Sequence, residues 1–308
     1  MRKPRPLQPG DRIAFVAPAS SCPIDELQAA TEEVRALDLE PTYDMSIHER
    51  GSYTAGSASV RAESFTRAWT DPAIAAIVAA RGGHGSVHLL PLLDLAVFRE
   101  HTKAFIGYSD NTSLLTWLTL TCGVVTFHGP MVDRRLARGP AGYDRDTFLR
   151  CLTRPAPVGV ITADSVQIVR EGEASGMLIG GTMTQLAASL GTPFAFDPPA
   201  GCVLFLDEVG ERPYRIDRLY TQLRLAGIID RAGALVFNEL PRCDEPGGRP
   251  AIRDVVADLT SDFPGPVLFG LPSGHTDGPT LTIPFGVTAR VDTRRRRGLI
   301  IDESAVQM

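Results

Sequence analysis

The first half of the chain alternates short apolar runs with longer amphipathic stretches, and this alternation most restricts the folds open to it. RIAFVAPAS, from Arg12, is a β-branched and aromatic run ended by Pro18. PIDELQAATEEVRALDLEP follows, with Leu27, Ala30, Val34 and Leu37 at helical spacing between Pro23 and Pro41. The pattern then repeats. SVRAESFTRAWTD reads as helix, IAAIVAARGG as strand and SVHLLPLLDLAVFREH as a helical region interrupted by proline. KAFIGYSD reads as strand, NTSLLTWLTLTCG as a helix closed by Gly123, and GVVTFHGP as one more strand. Strands that are apolar on both faces and separated by helices imply a parallel sheet covered on both sides. Right-handed crossovers gather the C-terminal ends of those strands, and any site they build, along one edge.

The expected fold class is α/β: an N-terminal parallel sheet flanked by helices, of the amidotransferase-like or flavodoxin-like kind, with a second, β-rich α/β domain. A chain of 308 residues is long for one core and comfortable for two. The first domain is placed at residues 1–153. TRPAPVGVITADSVQIVREG, with Pro155 and Pro157 and then strand-like alternation, reads as a linker entering the second domain over 154–172. The second domain, 173–308, offers CVLFLDEV, GALVFNEL, PVLFGLPSG, TLTIPFGVTARVD and GLIID as strands. Only TMTQLAASLG and RIDRLYTQLRLAG read as helices there, which predicts a mixed or partly antiparallel sheet. The run Arg294 to Arg297, between two of these strands, reads as a solvated hairpin turn.

Composition narrows the class of function. Hydrophobic residues make up 44% and charged residues 22%, the balance of an ordinary globular protein. A net charge of -5 gives no electrostatic reason to expect nucleic acid. The five cysteines are scattered, with no metal-ligand or redox spacing, and fit a reducing compartment. The apolar stretch after Arg12 is only about six residues, short of a signal-peptide core. No run approaches the roughly 20 apolar residues that span a bilayer. These features predict a cytoplasmic protein with neither membrane nor nucleic-acid partners.

Four stretches could carry chemistry. In KAFIGYSDNTSLL, Ser109 stands between an apolar strand and a helix. It is either the N-cap of that helix or a nucleophile lifted at a sharp turn, with the Asp110 N–H available to a developing oxyanion. Asn111 occupies the second glycine position of a G-x-S-x-G turn, so the motif is incomplete. In RGGHG, Gly82 or Gly83 could bring a second oxyanion donor close to a ligand, while a plain glycine turn explains the run equally. The run lacks the Lys-Ser/Thr of a phosphate loop. In LFLDEVGERPYRIDR, the apolar run breaks at Asp207 and Glu208; adjacent strand residues face opposite ways, so at most one faces the site. In GLPSGHTDGP, His275 sits in a loop leaving an apolar strand, where it could exchange protons near neutral pH or do nothing. His84 and His88 lie four apart, but Gly85 stands where metalloprotease helices carry glutamate, so no metal is expected. His128 ends a strand on the same edge and reads as structural.

Taken in order, APAS, RGGHG, GYSDNTSL, HGP, GGTMTQL, VLFLDEVGERPYRIDR and LPSGH followed by PFG resemble the LD-carboxypeptidase family. Those serine peptidases include muramoyltetrapeptide carboxypeptidases and microcin C immunity peptidases. The resemblance implies that Ser109 is the nucleophile and His275 the general base. It also implies a cytoplasmic murein tetrapeptide as substrate, cut before its terminal D-alanine, no cofactor, and a homodimer. Arg81 would bind a substrate carboxylate or serve in an ion pair. The family's acid is a glutamate followed by aspartate. This chain reads Asp207 then Glu208, so Asp207 is expected to serve on position, with Glu208 as the alternative. Two rival readings remain: a peptidase for peptidyl or aminoacyl nucleotides, or a binding module without catalysis. The first needs an aromatic or apolar base platform, and Trp69 and Trp117 both fall in expected helices.

Overall fold

The structure, a computed structural model, describes residues 1–294 and 298–308. The arginine turn expected at 294–297 therefore lies largely outside the described residues. The strands, in chain order, are β1 (Arg12–Val16), β2 (Glu40–Thr42), β3 (Ile74–Ala79), β4 (Ala104–Gly107), β5 (Thr126–His128), β6 (Gly159–Ile161) and β7 (Gln167–Arg170). They continue as β8 (Glu173–Thr182), β9 (Val203–Asp207), β10 (Ala234–Asn238), β11 (Val267–Leu271), β12 (Ile283–Phe285), β13 (Thr288–Asp292) and β14 (Leu299–Ile301).

Two sheets result. The first has the order β12-β5-β4-β3-β1-β2, parallel except for β12. Every residue of β3 and β4 is buried, as two-sided apolar runs require. The order reverses at β1, whose neighbours are β2 and β3, so a crevice opens where the loops after β1 and β3 diverge. The second sheet has the order β6-β14-β13-β8-β9-β10-β11-β7. Its centre, β8 to β11, is parallel and its flanks are antiparallel, the mixed sheet expected from the strand-rich second half. Among the described residues, no helix is long and apolar enough to cross a membrane.

Several sequence expectations need correction. The segment 154–172 is not a bare linker: β6 and β7 pair with β14 and β11 at opposite edges of the second sheet. Pro155 and Pro157 precede both strands, so every residue that pairs keeps its N–H. The long strand β8 was hidden by Gly176, Gly180 and Gly181, which weaken a strand signature. The second half also has helices at Ile228–Arg231 and Ile252–Leu259 beyond the two expected; Ile252 and Val256 bury the inner face of the latter. The apolar run TLTIPFGVTARVD is two strands divided at Gly286, and β12 leaves the second sheet to pair with β5 of the first. Both tryptophans lie in the core, 0% and 6% exposed, which removes them as surface platforms.

Candidate active site

β4 delivers its last residues to the C-terminal edge of the first sheet. Tyr108 is still extended, and Ser109 then turns into the left-handed region at φ 62°. A serine held there costs about 1–3 kcal/mol, so the surrounding fold must hold it. Ser109 opens a short 3-10 turn, Ser109–Asn111, and its side chain does not cap the helix that follows. Its Oγ lies 3.1 Å from His275 Nε2 instead.

The loop after β3 passes beside this hydroxyl. A Cβ on Gly82 would stand 2.8 Å from Ser109 Cβ and 2.9 Å from its Oγ, so only glycine lets the backbone run this close. The same point lies 3.5 Å from the Asp110 amide nitrogen, and Gly83 follows, packed on Ser20. The Asp110 carboxylate turns away and accepts from the Ser86 N–H at 2.8 Å.

The second sheet contributes the other half of the site from the ends of its parallel strands. Asp207 closes β9, in register with Thr182 at the end of β8. It is fully buried. Its Oδ2 lies 2.7 Å from His275 Nδ1 and accepts from Thr182 Oγ1 at 3.0 Å, while its Oδ1 accepts from Asn238 Nδ2 and from the His275 N–H at 3.3 Å. Burial alone would push the carboxyl up; the imidazole partner and these donors outweigh it and hold Asp207 below the usual carboxylate range. Glu208 points to the other face, as strand alternation requires. Its carboxylate accepts from Thr184 N–H at 3.0 Å, Thr184 Oγ1 at 2.7 Å and Val209 N–H at 3.1 Å. Burial raises its pKa, and the charge of Asp207 adds to the rise.

His275 sits in the loop that leaves β11 in the second sheet and enters β12 in the first. Gly274 precedes it at φ 78°; a Cβ there would stand 2.4 Å from His128 Cε1 and 3.0 Å from Asp207 Oδ2. His128, at the end of β5, is therefore a support beneath the site. Its Nδ1 lies 2.9 Å from Ser273 Oγ, whose hydroxyl donates to Leu281 O at 3.0 Å. Burial holds this imidazole at about 4, so it stays neutral 3.8 Å from Asp207.

Asn238 and Thr182 escaped the sequence reading. Asn238 donates to Asp207 and, at 2.7 Å, to the His275 carbonyl. The signal was present: ALVFN is an apolar strand broken by an amide at the same edge as Asp207.

Arg81 pairs with buried Asp133, Nε to Oδ2 at 3.4 Å, with its side chain 36% exposed. Burial pushes the Asp133 carboxyl up to about 6; Arg81, Arg134 and Arg135 oppose the shift and Glu26 adds to it. Because the folded value exceeds the unfolded value of about 3.9, the stability it contributes is complete below about pH 4 and is lost as pH rises through about 6. Asp133→Asn is therefore expected to gain stability over the wild type at pH 8, by up to about 3 kcal/mol, and to lose that advantage at pH 4. Urea unfolding at both pH values checks this, and a difference independent of pH refutes it. His84 and His88 meet edge to face at 5.2 Å, with Tyr53 against His84 at 5.5 Å. A cavity of about 230 Å³ lined by His84, Asp110, Thr112, Thr184 and Phe194 opens beside the start of the Ser109 helix.

Residues 13–129 match the LD-carboxypeptidase N-terminal domain and residues 175–291 the LD-carboxypeptidase C-terminal domain. The murein tetrapeptide carboxypeptidase of Pseudomonas aeruginosa is 30% identical over 299 residues, covering 94% of this chain and 96% of that protein. The crystal structure of muramoyltetrapeptide carboxypeptidase from Oxalobacter formigenes superposes with a TM-score of 0.82 at 29% identity, over 96% of this chain and all of that one. The microcin C7 self-immunity protein, which in Escherichia coli is 26% identical over 93% of this chain and 92% of its own length, has a solved structure that matches both chains in full with a TM-score of 0.92. With both halves matched in order and a whole-length relative at 30% identity, the chain belongs to the LD-carboxypeptidase family of serine-type carboxypeptidases.

Proposed function

We propose that the protein hydrolyses the amide between an L-configured centre and the terminal D-amino acid of murein tetrapeptides, in peptidoglycan recycling, with Ser109 as nucleophile, His275 as general base and Asp207 as the acid that orients it. The observation that carries the reading is the continuous line from Ser109 Oγ to His275 Nε2 at 3.1 Å and from His275 Nδ1 to Asp207 Oδ2 at 2.7 Å. An Nδ1–H donated to an ionised Asp207 leaves the Nε2 lone pair facing the serine hydroxyl. Ser109 then attacks the carbonyl carbon as His275 takes its proton. The tetrahedral oxyanion is held by the N–H groups of Asp110 and of Gly82 or Gly83. His275 returns the proton to the leaving amine, and water attacks the acyl enzyme in the reverse sense. Arg81 is the cation assigned to the substrate carboxylate, its exposed side being left over from the pair with Asp133. No cofactor enters this scheme.

The murein substrate is supported by the activities named for the Pseudomonas and Oxalobacter relatives. One feature favours a second substrate, an aminoacyl nucleotide: the aromatic pair Tyr53 and His84, both more than half exposed, stands beside the cavity. Separate incubations with a murein tetrapeptide and an aminoacyl sulfamoyl adenylate decide between them. Release of D-alanine from the tetrapeptide is the expected result, and turnover of the adenylate alone overturns it. We also place the protein in the cytoplasm as a homodimer. Its five cysteines are all free and buried, which suits a reducing compartment, and sedimentation should give a species twice the 33.2 kDa chain.

A further inference from the structure

We propose that Arg135 is the positioning residue that sets the His275 imidazole against Ser109, by bonding the chain neighbours of both. The inference rests on the catalytic roles given to Ser109 and His275 above.

Arg135 lies in the segment that leaves β5 and is only 8% exposed. Its Nη2 donates to the carbonyls of Gly274 and Thr276, both at 2.8 Å, the residues on either side of His275. Its Nη1 donates to Gly278 O at 2.9 Å and to Gly142 O at 3.3 Å. Its Nε donates to Tyr108 Oη at 3.2 Å, and Tyr108 is the residue before Ser109. The Tyr108 ring in turn meets the His275 ring edge to face at 5.1 Å. One guanidinium thus touches the residue preceding the serine and brackets the histidine.

Such a tie is needed here. The loop from Pro272 to Thr282 contains no helix or strand of its own, and its two ends belong to different sheets. The backbone of His275 itself is tied to the second sheet, its N–H to Asp207 Oδ1 and its carbonyl to Asn238, while the loop's backbone bonds to Gly142 and Asp144 come five residues later, at Thr280; Arg135 supplies the tie beside the imidazole. A guanidinium presents five donors in a rigid plane, so several carbonyls bonded to it are held in one geometry at once. Its bonds run to carbonyls and a phenol, with no substrate-facing donor among them, so Arg135 acts through His275. A displacement of about 1 Å at the base is enough to cost on the order of 10²-fold in rate. Lysine, a point charge with three rotatable donors, cannot reproduce the fork.

The test uses the full chain, with Arg135→Lys and Arg135→Ala, and reads hydrolysis of a murein tetrapeptide and the rate of labelling by a fluorophosphonate probe. Both variants are expected to lose about 10²-fold in kcat with KM changed less than about threefold, and to label more slowly in proportion. Added guanidinium should restore part of the Arg135→Ala rate and none of the Ser109→Ala rate. Arg135→Lys keeps the test open if the alanine variant does not fold. The proposal is overturned if Arg135→Lys, judged folded by circular dichroism, keeps wild-type kcat and labelling. It is equally overturned if the loss in both variants matches the unfolded fraction and guanidinium restores nothing. Failure of the catalytic reading looks different: Ser109→Ala would then label and hydrolyse as the wild type does.

Discussion

Ser109→Ala is expected to lower kcat for a murein tetrapeptide by about 10⁴- to 10⁶-fold while leaving KM within a few fold. The hydroxyl is the only atom removed, and the oxyanion donors stay, so the residue of activity reports what they supply without a nucleophile. A second substitution makes this prediction sharper. Ser109 holds a φ of 62°, a conformation that costs any side chain and that glycine adopts freely. Ser109→Gly should therefore be as inactive as the alanine variant yet more stable than the wild type, by about 1 kcal/mol, or a rise of a few degrees in Tm. Chromatography of the released tripeptide and a thermal scan measure the two effects. Unchanged hydrolysis in Ser109→Ala removes the nucleophile and leaves a binding module on the same fold.

Asp207→Asn and Glu208→Gln, adjacent isosteric changes, are expected to differ by about three orders of magnitude. An amide at 207 turns its NH₂ toward His275 and favours the wrong tautomer, so kcat should fall by about 10⁴-fold. Glu208 is bonded to Thr184 through Oε2 and to Val209 through Oε1 on the opposite face; a glutamine oxygen can keep both bonds from Thr184 and gives up the one from Val209, away from the site. Its variant should stay within about threefold of the wild type. The family's glutamate at this position reaches one methylene further, and Asp207 meets His275 Nδ1 at 2.7 Å without it. Space around Asp207 is taken up by Gly274, Thr182 and Asn238, so Asp207→Glu should lose activity as well. Should Glu208→Gln be the inactive variant, the assignment of the acid is reversed.

The sequence made legible what depends on local period and chemistry. Buried runs such as IAAIVA and VLFLD announced strands, and the order of Ser109, Asp207 and His275 pointed to three residues that the fold brings together. What escaped it depends on pairing across distance. β12 reads as part of a continuous apolar run with β13, and only tertiary pairing sends it to β5. Arg135 sits in MVDRRLARGP among arginines that look solvated, and its role comes from carbonyls more than 130 residues away. The `DE` order of Asp207 and Glu208 left the acid open, because alternation says that the two diverge without saying which one turns inward.

The excursion of β12 has a consequence for how the molecule is made. Until residue 285 has been synthesised, β5 is a bare edge of the first sheet, and the hydrogen-bonding groups that β12 will take remain open to other chains. His275 lies ten residues earlier, in the loop whose far end that pairing anchors. Only once β12 has left the ribosome are both ends of the His275 loop anchored on their two sheets.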